Sequence, residues 1–235
     1  MNNEPKRVVV TGAAGALGRE VVKQFLEAGC RVVGVDINTA SQSGGLVADG
    51  ELEALSWLRA DLTQAAAVKE AIALIEQDLG GIDTLVHCAG GFRYLQIEEA
   101  GDADIDFLID LNLRSSLFVL REVLGGMKAR NYGRIMLISS KSTLKPSAGE
   151  GPYAATKAAL NALVSASAEE IKAFDININA LLPSIIDTAA NREAMPGGEF
   201  ARWVAPDALA RIIVALSGPL GDPIHGALIP VSARM

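Results

Sequence analysis

Short apolar runs rich in β-branched residues alternate along this chain with stretches whose apolar positions recur every three to four residues. Arg7–Val10, Arg31–Val35, Ala54–Arg59, Ile82–Cys88, Arg134–Ser139, Ile176–Leu182 and Ala227–Val231 read as strands. Helical periodicity covers Ala16–Ala28, a stretch reaching Leu79 that Thr63 can cap, Pro152–Ala173 and Pro206–Ser217. It also covers Asp104–Arg130, with a break near Asp110–Leu111. Ala40–Gly50 reads as a Ser/Gly loop, and Ser184–Trp203 as a loop or mobile lid. The alternation predicts an α/β chain with a doubly wound parallel sheet between two helical layers. No repeat, low-complexity tract or linker interrupts it, so a single domain over residues 1–235 is expected.

Composition narrows the classes. A length of 235 residues suits one well-buried core, and 50% hydrophobic with 21% charged residues is ordinary for a globular chain. The net charge of −7 gives electrostatics no support for binding nucleic acid or an anionic membrane. No apolar run approaches the roughly 18–20 residues that span a bilayer. The first residues, Met1 to Arg7, hold no apolar stretch of signal-peptide type. Cys30 and Cys88 each border an apolar segment and read as buried free thiols, which fits a reduced, cytoplasmic compartment. His87 and His225 belong to no ligand-spaced cluster, so no metal site is expected and both read as structural.

Two motifs carry chemistry. Thr11-Gly12-Ala-Ala-Gly15-Ala16-Leu17-Gly18 follows the first strand and opens the first helix. There Gly12 permits a tight turn, Gly15 lets the backbone approach a pyrophosphate, and Gly18 lets the helix pack closely. The helix N-terminus would face the phosphates with free N–H groups. Asp36 ends the second strand, where a carboxylate can accept from adenosine ribose hydroxyls and would repel a 2′-phosphate; Ile37, Asn38 and Thr39 follow it, none of them basic. This favours NAD(H) over NADP(H), although Asp36 could also be a plain strand terminus. The second motif is Tyr153 and Lys157, four residues apart on one helix face, with Ser140 thirteen residues upstream. A cation beside a phenol favours the phenolate, which would tune a proton donor and acceptor for alcohol–carbonyl interconversion.

These pieces, with Asp61-Leu62, Cys88-Ala89-Gly90, Asn112 between two leucines and Pro183 through Thr188, stand in the order seen in short-chain dehydrogenase/reductases. The chain resembles the single-domain members of that family over nearly its whole length, and the resemblance implies a three-layer Rossmann-type fold. It also implies roles. Gly12, Gly15, Ala16, Leu17 and Gly18 would cradle the dinucleotide with Pro183, and Asp36 would hold the adenosine ribose. Asp61 and Leu62 would hold the adenine, Ala89 and Gly90 would line the ribose, and Thr188 would bind the nicotinamide carboxamide. Asn112 would hold a water linking Lys157 to solvent. Ser140 would orient the substrate carbonyl, and Tyr153 would give or take the proton. Lys157 would bind the nicotinamide ribose and lower the Tyr153 pKa. At three of these positions plainer readings stay open: Asn112 as a helix-kink residue, Asp61 as a strand-end cap, Thr188 as a loop hydroxyl. The chain departs from the family pattern at Ala16, a usual glycine, at His87-Cys88, where two asparagines are common, and at Ser184, a usual glycine.

A narrower resemblance, to dihydropteridine reductases, rests on Gly15 to Gly18, Ala89-Gly-Gly-Phe92 and the Asn191–Trp203 segment. That branch reduces quinonoid dihydropterins with NADH and typically lacks the catalytic serine, which is present here as Ser140. The expected activity is therefore NADH-dependent carbonyl–alcohol interconversion. Pterin reduction is the alternative, and a silent NAD(H)-binding regulator stands further off. Epimerases and dehydratases on nucleotide sugars share the Tyr-Lys pair but usually need a further C-terminal domain. Phe92, Met195 and Trp203 are candidates to line the substrate, although Trp203 could equally anchor its loop. Arg93 and Tyr94 lie near enough to reach it. The resemblance also implies a homo-oligomer, a dimer or tetramer, joined through the helices around Asp110–Arg130 and Tyr153–Ala173, whose Ala158, Ala162 and Ala166 could pack against a copy or against the sheet.

Overall fold

A run such as Val8-Val9-Val10 has no polar face to leave in water, so both of its faces must be covered. The computed structural model, which describes residues 5–38 and 54–234, covers them with helices. The strands are β1 (Arg7–Thr11), β2 (Arg31–Asp36), β3 (Leu55–Arg59), β4 (Thr84–His87), β5 (Gly133–Ile138), β6 (Ile176–Pro183) and β7 (Leu228–Val231). They form one sheet of order β3-β2-β1-β4-β5-β6-β7 in which every pairing is parallel. The helices are α1 (Ala16–Glu27), α2 (Ala65–Leu79), α3 (Asp102–Ile109), α4 (Ser115–Arg130), α5 (Gly151–Ile171), α6 (Ala189–Ala194) and α7 (Pro206–Leu216).

The twofold side-chain alternation of the strands divides the core into two layers. Val9, Val33, Leu85, Ile135 and Ile178 pack against α2, α4 and α5. Val8, Val10, Val32, Val86, Met136 and Leu181 pack against α1 and α7, where Phe25 and Ile213 lie. Each such buried side chain contributes roughly 1.5–3 kcal/mol. The sheet order reverses beside β1: the chain leaves it for β2 on one side and returns at β4 on the other. In the register of that pair, Thr11 lies opposite His87. A doubly wound sheet binds ligands in the crevice beyond the strand ends at such a reversal.

Three local expectations change. Thr63 does not cap α2, because its hydroxyl donates to the Asp61 carboxylate at 2.7 Å and the helix starts at Ala65. The break near Asp110–Leu111 is a single π-helical turn, Asp110–Arg114, joining α3 to α4 without a gap. The 184–203 segment is built rather than loose: it holds α6 and a short 3₁₀ turn, and Ile186 bridges Val204 in parallel. The Ser/Gly loop expected at 40–50 lies outside the described residues. Among the described residues, no helix is long and apolar enough to cross a membrane.

Candidate active site

The β1–α1 connection is shaped by close packing of backbone on backbone. Gly12 has φ +64°, and a Cβ there would lie 2.6 Å from the Ala89 nitrogen at the end of β4. A Cβ on Gly18 would lie 2.1 Å from the Gly12 carbonyl oxygen. Gly15, by contrast, is exposed at the helix N-cap and carries no side-chain cap. The first-turn N–H groups of α1 are therefore left for a ligand, and the dipole there favours an anion. The Asp36 carboxylate is held to this turn: it accepts from the Ala14 N–H and the Asn38 N–H, each at 3.0 Å. Asp61 stands one residue past Ala60, whose N–H donates to the Asp36 carbonyl, while the Leu62 side chain is buried in the core. The donor-rich, Cβ-free cradle and the fixed carboxylate fit a dinucleotide's pyrophosphate and adenosine ribose.

A buried polar chain runs from β1 to the π-helical turn. The Thr11 hydroxyl meets His87 Nδ1 at 2.7 Å, and His87 Nε2 meets the Ser115 hydroxyl at 3.3 Å. Ser115 donates its own proton to the Leu111 carbonyl at 2.6 Å. Its oxygen must therefore accept from Nε2–H, which makes Nδ1 the acceptor of the Thr11 proton. Burial, assisted by the nearby Lys157 charge, pushes the His87 pKa down to about 3, so the ring is neutral. One residue beyond Leu111, Asn112 is fully buried and clamps the Gly91 backbone from both sides. Its Oδ1 accepts from Gly91 N–H and its Nδ2 donates to Gly91 carbonyl, both at 2.9 Å. Nδ2 also reaches the Thr156 hydroxyl at 3.3 Å, tying the clamp to α5.

The second motif converges beside this clamp. Ser140 ends the approach from β5, and its hydroxyl oxygen accepts from Ser142 N–H at 3.1 Å. The Ser140 hydroxyl neighbours the Tyr153 phenol and lowers its pKa by hydrogen bonding. Lys157 is buried, and its ammonium donates to the Ile138 carbonyl at 2.8 Å. A Cβ on Gly90 would lie 3.0 Å from Asn112 Oδ1 and 3.1 Å from Lys157 Nζ, which measures how tightly the three groups meet. Burial pushes the Lys157 pKa down to about 8, against a smaller upward pull from Cys88. The Cys88 thiol is itself pushed up to about 12 by burial. The Tyr153 phenol departs from the expectation that Lys157 lowers its pKa. Burial raises it, the Ser140 hydrogen bond lowers it by less, and Glu150 raises it further. Lys157 Nζ stands 5.9 Å from the Tyr153 ring centroid with its charge turned to Ile138. At neutral pH Tyr153 is thus a neutral phenol, a proton donor suited to reduction.

On the far side of the crevice, Thr188 caps α6 by accepting from Asn191 N–H at 3.1 Å. Thr188, Ala189 and Asp187 share a groove of about 480 Å³ with Ala16, Arg19 and Glu20 at the start of α1. The structure therefore brings Thr188 to the glycine turn. Met195 ends α6 and is half-exposed, while Trp203 is buried, edge-on to Phe200 at 4.8 Å and packed on Gly198. Trp203 anchors its segment, and Phe92 instead packs edge-on to the Tyr153 ring at 4.9 Å.

Comparison with known proteins agrees with this geometry. The family model described as short chain dehydrogenase matches residues 6–197. The chain belongs to the short-chain dehydrogenases. A 3-oxoacyl-(acyl-carrier-protein) reductase of Vibrio harveyi is 29% identical over 100% of this chain and 99% of its own. A 2-dehydro-3-deoxy-D-gluconate 5-dehydrogenase of Pseudoalteromonas atlantica is 30% identical over 97% and 94%. Among solved structures, ElxO with NADP bound superposes with a TM-score of 0.89 at 25% identity, covering 97% of each chain. A 3-ketoacyl-(acyl-carrier-protein) reductase from Brucella melitensis complexed with NADH gives 0.86 at 25%, covering 98% of each.

The departures from the family pattern have local reasons in this short-chain dehydrogenase. Ala16 is the first helical residue and is exposed, so nothing there demands a glycine. Ser184 donates to the Ser232 carbonyl and ties the end of β6 to the chain beyond β7. His87 has the structural part expected from sequence: it links β1 through Ser115 to the turn that carries Asn112. Ser115 and Thr156 were missed altogether. The usable signal was spacing: Ser115 follows Asn112 by three residues and Thr156 follows Tyr153 by three, each one helical turn away.

Proposed function

We propose that this short-chain dehydrogenase interconverts a carbonyl and an alcohol by hydride transfer, using NAD(H) in preference to NADP(H). One observation carries the reading: the Ser140 hydroxyl neighbours the Tyr153 phenol, with the buried Lys157 ammonium 5.9 Å from the phenol ring centroid, at the crevice where β4 and β5 end. When bound, the nicotinamide supplies the hydride. The glycine turn, Asp36 and Thr188 hold the dinucleotide. Tyr153 delivers its proton to the oxygen that develops negative charge, and Ser140 donates a hydrogen bond to the same oxygen. The buried Lys157 charge stands behind them in a site of low dielectric. Asn112 keeps Gly91, and with it the floor of the site, in place. Both polar ends of its side chain are engaged on Gly91, and its backbone carbonyl accepts from the Ser116 hydroxyl at 3.1 Å. The preference for NAD(H) is supported by the Asp36 carboxylate fixed on the turn.

Tyr153→Phe should lower turnover by about 10²–10⁴-fold while NADH binding is retained. Unchanged turnover would refute the assignment. Saturable turnover of quinonoid dihydropterin with no turnover of any ketone would replace the carbonyl reading by the pterin one. Two further parts of the proposal are a reduced, cytoplasmic setting, in keeping with two free thiols, and a homo-oligomer. Ala158, Ala162 and Ala166 face outward on α5 rather than onto the sheet, which suits close approach by a second copy.

A further inference from the structure

We infer that the substrate is an uncharged carbonyl compound carrying a flat, apolar substituent that lies against Phe92. This rests on the carbonyl-reducing reading above and adds the substrate class. Three observations converge on it.

The first is the ring itself. Phe92 is 46% exposed, yet it is not free to wander. Its neighbour Gly91 is clamped on both sides by Asn112, and a Cβ on Gly91 would lie 2.6 Å from the Phe107 ring. Phe92 meets the Tyr153 ring at 83° with centroids 4.9 Å apart, so an apolar surface adjoins the proton donor. A fixed, exposed aromatic ring beside a reacting group is a surface awaiting cover.

The second is what surrounds it. Tyr94, 63% exposed, lies on Gly149, and the Leu95 N–H donates to the Gly149 carbonyl, which holds this strip to the approach of α5. Leu144, 60% exposed, follows the short turn that Ser140 caps. Phe92 is thus the apolar group set against Tyr153, with Tyr94 further along the same strip and Leu144 four residues after Ser140.

The third is charge. Arg93, the cation beside Phe92, is already engaged: its guanidinium lies 4.2 Å from the Phe107 ring centroid, pairs with Asp104 and donates to the Phe92 carbonyl. Lys157 is buried on Ile138. Glu150 raises the Tyr153 pKa. A carboxylate or phosphate next to the reacting carbonyl would meet the Glu150 charge that already acts on Tyr153, whereas a neutral ring would face Phe92.

Matched substrates isolate the two terms. With NADH in excess, kcat/KM is measured for methyl benzoylformate, its free acid benzoylformate, and methyl pyruvate. The ester should exceed the acid, and the aryl ester should exceed methyl pyruvate, each by about tenfold. In Phe92→Ala, with NADH binding verified, the aryl preference should fall towards unity, and Phe92→Tyr should retain it. Equal or better use of the free acid would overturn the inference and point to Lys141 and Lys145 beside Leu144 as the binding groups. An aryl preference that survives Phe92→Ala would overturn it as well. Absence of turnover with every carbonyl, despite NADH binding, would instead remove the underlying reading and this inference with it.

Discussion

His87 joins stability to the site at the scale of one residue. Both of its ring nitrogens are engaged, Nδ1 by Thr11 and Nε2 by Ser115, and protonating Nδ1 would turn an acceptor into a second donor facing a hydroxyl. Burial holds its pKa near 3, well below the ordinary 6.5. Between those values the unfolded chain binds a proton that the folded chain refuses. Stability is therefore complete above about pH 6.5 and falls as pH drops towards 3, by up to roughly 5 kcal/mol for this group. His87→Asn, which keeps a donor and an acceptor without a titrating ring, should flatten that acid limb in urea-melt profiles taken from pH 7 to pH 4. An unchanged limb would mean that other groups set it. The residues proposed to react were legible because chemistry constrains their spacing: Tyr153 and Lys157 share a helix face wherever that helix lies. The His87 contacts were not legible. A lone histidine in an apolar strand can find many partners, and only the β1–β4 register puts Thr11 opposite it.

Elements set how much room a ligand has. The three glycines of the β1–α1 turn have separate roles in the sequence reading, and the structure gives each a distance. A Cβ at position 18 would meet the Gly12 carbonyl at 2.1 Å, backbone against backbone, with no flexible side chain to yield. At Gly15 it would meet the same oxygen at 3.2 Å, and φ is −71°, which alanine adopts without strain. Gly18→Ala should therefore cost about 3 kcal/mol, a fall in Tm of roughly 6–12 °C. Gly15→Ala should melt close to the parent and weaken NADH binding in a fluorescence titration, because its methyl group would stand where the phosphates approach. A Gly18→Ala variant with the parental Tm would show the turn to be looser than drawn. The strands were readable because burial on both faces leaves them uninterrupted apolar runs. Local polar choices were less so: Thr63 binds Asp61 instead of capping α2, and α6 is six residues that depend on the Thr188 cap and the Ile186–Val204 bridge. The π-helical turn left only a break in periodicity, since one extra residue shifts the phase by about 100° without changing the composition.

At the scale of the whole molecule, cofactor choice is a contest between a local cradle and a global field. The chain carries a net charge of −7, which opposes any polyanion at long range. The N-terminus of α1 offsets this for the pyrophosphate common to both dinucleotides. NADPH brings a further phosphate, and the place where its ribose would lie holds the Asp36 carboxylate. Arg59 is one counterweight: it faces Asp36 in register across β2 and β3, with its Nε donating to the Ile37 carbonyl at 2.9 Å. Under the proposed NAD(H) preference, a fixed carboxylate at the ribose should outweigh an exposed guanidinium whose charge is screened by solvent. NADH at a hundredfold excess over its Kd should add about 2.7 kcal/mol, a rise in Tm of roughly 5–11 °C, and NADPH at the same concentration should raise it less. Asp36→Asn removes the charge at nearly constant shape and should bring the two shifts together. Added salt should do so in part, because a Debye length of about 8 Å at 0.15 M screens the distant charges and leaves the adjacent carboxylate. A parental chain that NADPH stabilises at least as much as NADH would give the deciding role to Arg59, and Arg59→Ala should then abolish the NADPH shift alone.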